Sequence, residues 1–340
     1  MAKISIGSTG LQVEQNGFGA LPIQRVSTAG AVYLLHKAFD GGMTFFDTAR
    51  GYSDSEEKLG KAFAGMRDKI VLASKTPATN ANDFWEDLET SLRLLKTDYI
   101  DIYQFHNPSV CPKPGDGSGL YEAMLKAKEQ GKIRFISATN HRIHVAKEII
   151  DSGLYDTLQF PFCYLSTEQD LEVLRDCQEK GMGFLAMKGL SGGLITNAQA
   201  ACAWMLQFDD VVPLWGIQKE GELDEFLHYI KEAPRLDADI QKIIECDREE
   251  LQGNFCRGCG YCMPCPAEIE INTCARASLL LRRAPMEILL SRRGQEMMKK
   301  ITDCLDCGQC AAQCPYNLYT PQLLRKNYQD YQEVIAGKHL

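Results

Sequence analysis

Apolar and polar positions follow one repeated pattern from residue 13 to about residue 230. A short apolar run is followed by a longer stretch in which apolar residues are spaced three and four apart. The short runs predict buried strands, and the longer stretches predict amphipathic helices. The predicted strands are Val13–Gly19, Phe45–Asp47, Ile70–Ser74, Ile100–Phe105, Phe135–Thr139, Thr157–Pro161, Gly183–Met187 and Val211–Gly216. The predicted helices include Ala31–Phe39, Asp83–Leu95, Leu120–Gln130, Val145–Ser152, Glu168–Lys180 and Ala198–Gln207.

This alternation of eight strands with helices favours a (β/α)8 TIM barrel, an α/β fold. An open doubly wound sheet would be expected to carry Gly-x-Gly-x-x-Gly after its first strand, and the sequence has none there. A further helix is predicted to begin near Ser55, because Ser53, Asp54 and Ser55 are all residue types that cap helix N-termini. Glu56 and Glu57 would then lie in its first turn.

Titratable side chains stand where three consecutive predicted strands end. Asp47 closes the second strand and Tyr52 follows it, Lys75 ends the third strand, and His106 ends the fourth. Taken singly, these could be a helix cap, a core tyrosine, a solvated lysine and a structural histidine. Together they would meet at the carboxyl-terminal face of one barrel, where barrel enzymes carry their catalytic groups.

The composition excludes several classes of protein. The 340 residues carry a net charge of -8, which argues against a nucleic-acid partner. The first residues lack the apolar core of a signal peptide. No apolar run approaches the roughly 20 residues of a membrane span. The sequence therefore predicts a cytoplasmic protein with no membrane association.

Eight of the 14 cysteines fall in two short runs, each followed by proline. In a reduced compartment such clustering indicates metal binding rather than disulfides. The second run has the full bacterial ferredoxin spacing, and the first is one residue shorter before its last cysteine. Two [4Fe–4S] clusters are predicted, with two zinc sites as the alternative. The predicted ligands are Cys256, Cys259, Cys262 and Cys265 in the first run, and Cys304, Cys307, Cys310 and Cys314 in the second.

In two-cluster ferredoxins the last cysteine of each run ligates the other cluster. That arrangement would join Cys314 to the first three cysteines of the first run, and Cys265 to the first three of the second run. The shortened first run leaves this crossing open.

Over roughly residues 4–230 the sequence resembles the aldo-keto reductases. Ile6–Val13 is similar to that family's N-terminal hairpin. The motif Asp-Thr-Ala-x-x-Tyr-x-x-Ser-Glu is present from Asp47 to Glu56, without the glycine that usually follows the tyrosine. Ser91–Asp101 is similar to the segment before the family's histidine strand.

The resemblance implies hydride transfer between a nicotinamide cofactor and a small carbonyl substrate. Tyr52 would be the general acid, and Lys75, held by Asp47, would lower its pKa toward the working range. His106 would hydrogen-bond the carbonyl oxygen as charge develops there. The loop Pro108–Gly119 is expected to help form the pocket, although it identifies no substrate.

The family's cofactor-binding positions are matched less completely in this sequence than its catalytic positions. Met187 takes the place of the family's stacking tyrosine, and a methionine defines a ring position less well. The resemblance implies NADPH, but Glu220 and Glu222 closely follow Lys219 in the adenosine-phosphate segment, so NADH remains open. The expected contacts are Thr139, Asn140, Gln159, Met187, Lys188, Gly189, Gly216, Lys219 and Glu225.

The span between the cysteine runs, 275–300, is helix-like and basic. It could be a solvated helix face or a docking surface for an acidic carrier such as ferredoxin or flavodoxin. Its helical character resembles the all-α two-cluster ferredoxin modules, so the whole chain resembles the iron–sulfur subgroup of the aldo-keto reductases. The basic residues are Arg276, Arg282, Arg283, Arg292, Arg293, Lys299 and Lys300.

The expected domains are a barrel over 1–232, a helical connector over 233–253, a small, mainly α-helical ferredoxin-like domain over 254–330 and a tail over 331–340. The first hypothesis is a carbonyl oxidoreductase whose clusters either transfer electrons or stabilise the fold. The second is an electron-transfer module in which the clusters feed a barrel-bound substrate or cofactor. The third is a nucleotide-sensing subunit without catalysis, against which the intact set of four titratable residues argues.

Overall fold

Ten strands and fifteen α-helices lie in the residues that the computed structural model describes, which are 3–251, 255–283 and 287–337. The strands are β1 Lys3–Ser5, β2 Gln12–Glu14, β3 Gly17–Gly19, β4 Phe45–Asp47, β5 Val71–Thr76, β6 Ile100–His106, β7 Ile133–Thr139, β8 Thr157–Pro161, β9 Gly183–Met187 and β10 Val211–Gly216. The helices are α1 Thr28–Asp40, α2 Ser55–Ala62, α3 Ala81–Leu95, α4 Leu120–Glu129, α5 Ile143–Ser152, α6 Glu168–Glu179, α7 Ala198–Met205, α8 Glu220–Lys231, α9 Ala238–Glu250, α10 Ile271–Cys274, α11 Ala277–Arg283, α12 Glu287–Leu290, α13 Arg292–Lys299, α14 Gln309–Ala312 and α15 Thr320–Ile335.

Strands β3 to β10 form a closed parallel barrel in the order β10-β3-β4-β5-β6-β7-β8-β9. Parallel neighbours need a crossover connection, and one of the helices α1 to α7 lies between each consecutive pair of strands. The predicted (β/α)8 barrel is confirmed. Helix α8 follows the last strand and has no counterpart among the predicted helices.

The first barrel strand, predicted near Val13–Gly19, is confirmed only over the end of this stretch, as β3, because β2 and a turn occupy its beginning. The N–H of Asn16 donates to the carbonyl of Glu14 at 2.6 Å, which closes the turn. Side-chain bonds then fix it against distant parts of the chain, from Gln15 to the Phe208 carbonyl at 2.6 Å and from Asn16 to the Phe226 carbonyl at 3.0 Å. These long-range partners end β2 and orient β3 for the barrel.

The antiparallel hairpin β1–β2 covers the amino-terminal end of the barrel. Ile6 and Val13 are fully buried and pack with Phe45, Ala73 and other interior residues of the strands. Gly7 has a φ of 51° and lies against the backbone of Gly183, where an added Cβ would be 2.3 Å from the amide nitrogen.

The chain divides into two compact units. The first comprises Met1–Gly189 with Ala198–Ile240, and the second comprises Leu190–Asn197 with Gln241–Leu340. Helix α15 is the longest element of the second unit and packs against α10, α11, α13 and α14. It continues across the expected boundary at residue 331, and Tyr331 is buried with its hydroxyl on the Leu289 carbonyl at 2.6 Å.

The second unit is mainly α-helical, as the sequence predicts, and most of its helices are short. Its described core includes Ile271, Leu281, Met298 and Leu324. None of the helices in the described ranges of either unit combines the length and apolar character that a membrane span requires.

Candidate active site

The barrel brings Asp47, Tyr52, Lys75 and His106 to one end. Asp47 is the last residue of β4, Lys75 lies near the end of β5, and His106 ends β6. These three strands are neighbours, with Asp47 opposite Ala73 and Lys75 opposite Gln104 in the register. Tyr52 lies in the loop between β4 and α2, so that its half-buried ring can reach the same face.

Lys75 and Asp47 form a buried ion pair. Lys75 Nζ donates to Asp47 Oδ1 at 2.6 Å, to Asp47 Oδ2 at 2.7 Å and to the Thr48 carbonyl at 2.6 Å. An ammonium group has three N–H donors, so these acceptors occupy all of them. Burial raises the pKa of Asp47 and lowers that of Lys75, while the attraction between the two charges opposes both shifts.

Tyr52 is packed against His106 and Lys75. Its ring lies edge-on to His106 with centroids 5.7 Å apart, and Lys75 Nζ is 5.2 Å from its ring centroid. Burial raises the pKa of Tyr52, and the negative charge of Asp47 raises it further. This direction is opposite to the expected one, because Asp47 offsets the positive charge of Lys75 and burial disfavours the phenolate.

His106 is held as a neutral imidazole. Burial lowers its pKa to about 3, and the nearby charge of Lys75 contributes to the shift. A neutral imidazole can donate a hydrogen bond without placing a second positive charge beside Lys75. This protonation state suits a group that polarises a carbonyl oxygen.

A buried network of amide side chains hydrogen-bonds to Asp47. Its central member, Gln104, was not predicted from the sequence. Gln104 Nε2 donates to Asp47 Oδ1 at 3.2 Å and to Gln159 Oε1 at 2.9 Å. Ser137 Oγ donates to Gln104 Oε1 at 3.2 Å. Gln104 precedes His106 by two residues, so the period-two rule for strands places it on the same face and could have identified it.

Three predicted cofactor contacts lie level with His106. His106 is opposite Thr139 in the register of β6 and β7, and Thr139 is opposite Gln159 in β7 and β8. The hydroxyl of Thr139 accepts from the Asn107 N–H at 3.0 Å. Asn140 Nδ2 donates to the Pro108 carbonyl at 2.9 Å, and Asn140 Oδ1 accepts from the Arg142 N–H at 2.8 Å.

The predicted contacts after β9 lie at the barrel rim. Met187 is half-buried and opposite Pro161, two residues beyond Gln159. Lys188 has a φ of 60°, in the region where non-glycine residues are uncommon. Gly189 packs against the indole of Trp215, where an added Cβ would be 2.5 Å from the ring.

The predicted contacts after β10 are exposed, namely Gly216, Lys219 and Glu225. Glu222 caps the start of α8, since its carboxylate accepts from the N–H groups of Gln218 and Lys219, both at 3.0 Å. The carboxylate of Glu225 accepts from the Tyr229 hydroxyl at 2.7 Å.

The other acid of this segment, Glu220, pairs with a lysine from α1. Lys37 Nζ lies 2.6 Å from Glu220 Oε1 and 2.6 Å from Asp224 Oδ1. Glu220 also accepts from the hydroxyl of Tyr33 at 2.5 Å, and the Lys37 and Tyr33 hydrogen bonds lower its pKa.

In the second unit the eight predicted ligands line two recesses. The first cysteine recess is lined by Cys256, Cys259, Cys262 and Cys314, with Tyr316 and Ile271 among the other residues. The second cysteine recess is lined by Cys265, Cys304, Cys307 and Cys310, and Cys262 also reaches its wall. Each recess thus takes the last cysteine of the other run. Cys274 is buried in the core, with Sγ 3.8 Å from the Met297 carbonyl.

Most of the basic residues between the runs have partners within the second unit. Arg282 pairs with Asp330 at 2.5 Å, Arg292 with Glu296 at 3.0 Å and Lys300 with Glu268 at 2.6 Å. Arg276 donates to backbone carbonyls. The side chain of Arg283 lies outside the described residues. These pairings reduce the positive charge that an acidic carrier would meet.

Comparison with known proteins matches both units. Residues 3–201 match the model of the aldo/keto reductase family, and residues 255–319 match a 4Fe-4S dicluster domain. The fold is similar to that of an aldo-keto reductase from Bacillus halodurans in its holo form, with a TM-score of 0.64, 22% identity and coverage of 73% of this chain and 96% of that one. An aldo-keto reductase from Klebsiella pneumoniae in complex with NADPH gives a TM-score of 0.62 at 22% identity, covering 72% of this chain and 95% of that one.

Two curated relatives are similar over the barrel. The chain is 30% identical to aldo-keto reductase YhdN of Bacillus subtilis over 216 residues, which are 58% of this chain and 64% of that protein. It is 29% identical to L-galactose dehydrogenase of Arabidopsis thaliana over 213 residues, which are 57% of this chain and 66% of that protein. The match thus spans less than two thirds of each relative's length. Because the family model covers more than half of this sequence, the chain belongs to the aldo/keto reductase family, with a 4Fe-4S dicluster domain after the barrel.

Proposed function

We propose that this protein reduces a small carbonyl substrate to an alcohol, or catalyses the reverse reaction, with Tyr52 as the general acid. The observation that carries the proposal is the meeting of Tyr52, neutral His106 and the buried Lys75–Asp47 pair at the ends of three adjacent strands. The name of the Arabidopsis relative, an L-galactose dehydrogenase, agrees with carbonyl–alcohol chemistry.

Each of the four residues has a separate task in this proposal. Tyr52 gives its proton to the carbonyl oxygen, because a general acid must carry a transferable proton within reach of that atom. His106 donates a hydrogen bond to the same oxygen and so positions the carbonyl. Lys75 stabilises the phenolate that Tyr52 leaves behind, and Asp47 fixes the ammonium group in place.

The residues at the carboxyl ends of β7 to β10 fit a nicotinamide cofactor. Asn140 and Gln159 each use part of their hydrogen-bonding capacity within the protein, and each keeps an N–H for a carboxamide. When bound, the nicotinamide supplies a hydride, which no side chain can donate. The residues proposed to hold it are Thr139, Asn140, Gln159, Met187, Lys188, Gly189, Gly216, Lys219 and Glu225.

We propose NADPH as the preferred form, supported by the NADPH complex of the Klebsiella pneumoniae protein. The pairing of Glu220 with Lys37 also reduces the repulsion that a 2′-phosphate would meet. Glu222 acts in the opposite direction, since its carboxylate occupies the amide groups at the start of α8. The balance between NADPH and NADH therefore depends on a few carboxylates.

The donor set of the second unit fits two [4Fe–4S] clusters. All eight thiols line the two recesses, four in the first and five in the second, with Cys262 shared between them. Both runs have the Cys-x-x-Cys-x-x-Cys spacing and end in Cys-Pro, which favours an iron–sulfur cluster over a zinc site. We propose Cys256, Cys259, Cys262 and Cys314 as one ligand set and Cys265, Cys304, Cys307 and Cys310 as the other.

We propose a barrel domain over about residues 1–232, a helical connector to 253 and an iron–sulfur domain to about 330. Thiolate-ligated clusters and free cysteines suit a reduced compartment, so the cytosol is the proposed location. A ferredoxin or flavodoxin partner is proposed only for the electron-transfer alternative below.

The exposure of Cys307 favours a second function, in which the clusters bring electrons to the barrel. A cluster ligand at the surface shortens the path for electrons between a carrier and that cluster.

The Cys307→Ser variant distinguishes electron transfer from a structural role of the clusters. If the clusters transfer electrons, it should lose reduction supported by a one-electron donor, while NADPH-dependent reduction and the melting temperature are retained. If they are structural, it should lose both activities and melt at a lower temperature.

The proposed function is tested by anaerobic purification followed by three measurements. We expect about eight iron and eight sulfide per chain, binding of NADPH in a fluorescence titration, and turnover of at least one compound in a screen of aldehydes and ketones. Zinc without labile sulfide would contradict the cluster assignment. The absence of nicotinamide binding would contradict the enzymatic assignment.

A further inference from the structure

The side chain of Arg276 lies between two loops of the second unit. Its Nη2 donates to the Gly192 carbonyl at 2.7 Å and to the Ser191 carbonyl at 3.3 Å, both on the segment Leu190–Asn197. It also packs against Gly258, where an added Cβ would be 2.4 Å from Nη1. An added Cβ at Gly192 would be 3.3 Å from the same guanidinium. Two glycines thus leave the space that this side chain fills.

The Gly258 side of this arrangement belongs to the first cysteine recess. The N–H of Gly258 donates to Cys256 Sγ at 3.4 Å. The guanidinium of Arg276 lies against the same residue, since an added Cβ at Gly258 would be 2.4 Å from Nη1. The positive charge of Arg276 is therefore close enough to act on a proposed cluster ligand.

Arg276 also has a donor that the protein does not use. Its Nε is buried and has no hydrogen-bond acceptor among the residues that the structure describes. Burying an N–H of a cation without an acceptor is unfavourable. The sulfur atoms of a cluster and its thiolates are acceptors of the kind that this group lacks.

The Ser191 side of the arrangement continues directly from the proposed nicotinamide segment, Met187–Gly189. From Met187 to Ser191 the chain advances four residues, which span at most about 14 Å. Lys188 and Ser191 have φ values of 60° and 49°, a conformation that persists only when its surroundings enforce it. The two bonds from Arg276 provide such enforcement for the end of this loop.

We propose that Arg276 is a positioning residue that couples the cluster of the first recess to nicotinamide binding, by holding the loop that follows Met187–Gly189. The inference rests on the proposed function, because it needs both a cluster and a nicotinamide cofactor. A loop that is ordered before the cofactor arrives loses less entropy on binding. Reduction adds negative charge to the cluster beside Arg276 and so changes how Arg276 holds the loop, which makes NADP⁺ affinity differ between the oxidised and reduced protein. Because binding linkage is reciprocal, bound NADP⁺ then shifts the reduction potential of that cluster.

The experiment compares three variants of the full chain, purified without oxygen. Arg276→Met removes the charge and the donors, whereas Arg276→Lys keeps the charge but loses the planar fork that reaches two carbonyls. Arg292→Met is the matched control, because Arg292 belongs to the same unit and its side chain is 93% exposed. The readouts are iron and sulfide content, the cluster potential from a dye-mediated redox titration followed by EPR, and the NADP⁺ dissociation constant.

We expect Arg276→Met to weaken NADP⁺ binding about tenfold, as the loss of about one charge-assisted hydrogen bond would do. Its cluster potential should become more negative, since a positive charge favours the reduced cluster. Saturating NADP⁺ should shift that potential in the wild type and not in Arg276→Met. Arg276→Lys should restore the potential but not the dissociation constant, and the control should match the wild type.

An Arg276→Met variant that retains its iron and has a wild-type potential and dissociation constant would overturn the inference. If that variant loses iron, Arg276→Lys decides the matter: weaker NADP⁺ binding supports the coupling, and wild-type binding overturns it. A wild-type protein that binds neither iron nor NADP⁺ would contradict the proposed function itself, which is a different result.

Discussion

Lys75 Nζ bonds to both carboxylate oxygens of Asp47, at 2.6 and 2.7 Å, with less than a tenth of either side chain exposed. Two charges buried this deeply depend on each other, because either one alone would lack an opposite charge in a region of low polarity. The pair therefore links the stability of the barrel to the geometry of its candidate active site.

Asp47→Asn should lower the free energy of unfolding by about 3 to 5 kcal/mol, because it leaves the Lys75 charge unpaired. The double variant Asp47→Asn with Lys75→Met should recover much of that loss, since no buried charge then remains. Both variants should be inactive. Urea unfolding of the three proteins checks the prediction, and a double variant no more stable than Asp47→Asn would contradict it.

Tyr52→Phe should reduce carbonyl turnover by about 10²- to 10⁴-fold, because only the proton donor is removed. The dissociation constant of NADPH should stay within a factor of two or so of the wild-type value, since the ring is retained. Tyr319→Phe is a matched control on an exposed tyrosine of the second unit. Full activity in Tyr52→Phe would show that another group donates the proton.

The low pKa of His106, about 3, predicts a specific pH dependence of stability. The folded protein keeps this ring neutral, whereas the unfolded chain binds a proton below about pH 6.5. The stabilisation is thus present above pH 6.5 and is lost as the pH falls toward 3. Lowering the pH from 7 to 5.5 should therefore reduce the free energy of unfolding by about 1 kcal/mol.

The comparison for that prediction is His106→Gln, which has no titrating ring at this position. Urea unfolding at the two pH values should show a smaller decrease for the variant than for the wild type. Equal decreases would mean that His106 titrates normally in the folded protein.

The two recesses predict which cysteine substitutions are equivalent. Cys314→Ser should remove the same cluster as Cys256→Ser, and Cys265→Ser the same cluster as Cys304→Ser, since the members of each pair line one recess. Each variant should retain about four iron atoms. The EPR spectrum of the remaining reduced cluster identifies it. Matching spectra for Cys314→Ser and Cys304→Ser would instead indicate that each run holds its own cluster.

Glu222→Gln should favour NADPH over NADH by about five- to tenfold relative to the wild type. The amide oxygen can still accept from Gln218 and Lys219, but the negative charge beside the start of α8 is removed. The ratio of the two dissociation constants is the measurement. Glu249→Gln, on α9, controls for a general change in net charge.

Local sequence patterns predicted the barrel well because its strands are short apolar runs with clear ends. Phe45–Asp47, Thr157–Pro161, Gly183–Met187 and Val211–Gly216 have the predicted limits. The error at Val13–Gly19 has a non-local cause, since its turn is held by carbonyls of Phe208 and Phe226. No window of sequence around residue 16 contains those partners.

The candidate site was predictable where its residues lie at the ends of predicted strands. Residues at strand ends, such as Lys75 and His106, carry a positional signal that sequence alone preserves. Gln104 carries a weaker one, through its spacing from His106. The role of Arg276 has no local signal, because its partners, Ser191 and Gly192, lie more than 80 residues earlier in the chain.

Helix α15 has a consequence for biosynthesis. Thr320 lines the first cysteine recess, and Pro321 and Leu324 line the second, although the helix follows both cysteine runs in the chain. While the ribosome is still making this helix, all eight cysteines proposed as ligands have been synthesised but neither recess has its full wall. For the proposed clusters, we therefore expect stable binding of iron and sulfide only after the helix has emerged and packed in place. Until then the thiols would be unligated, so we expect oxidative stress during translation to damage new molecules more than mature ones.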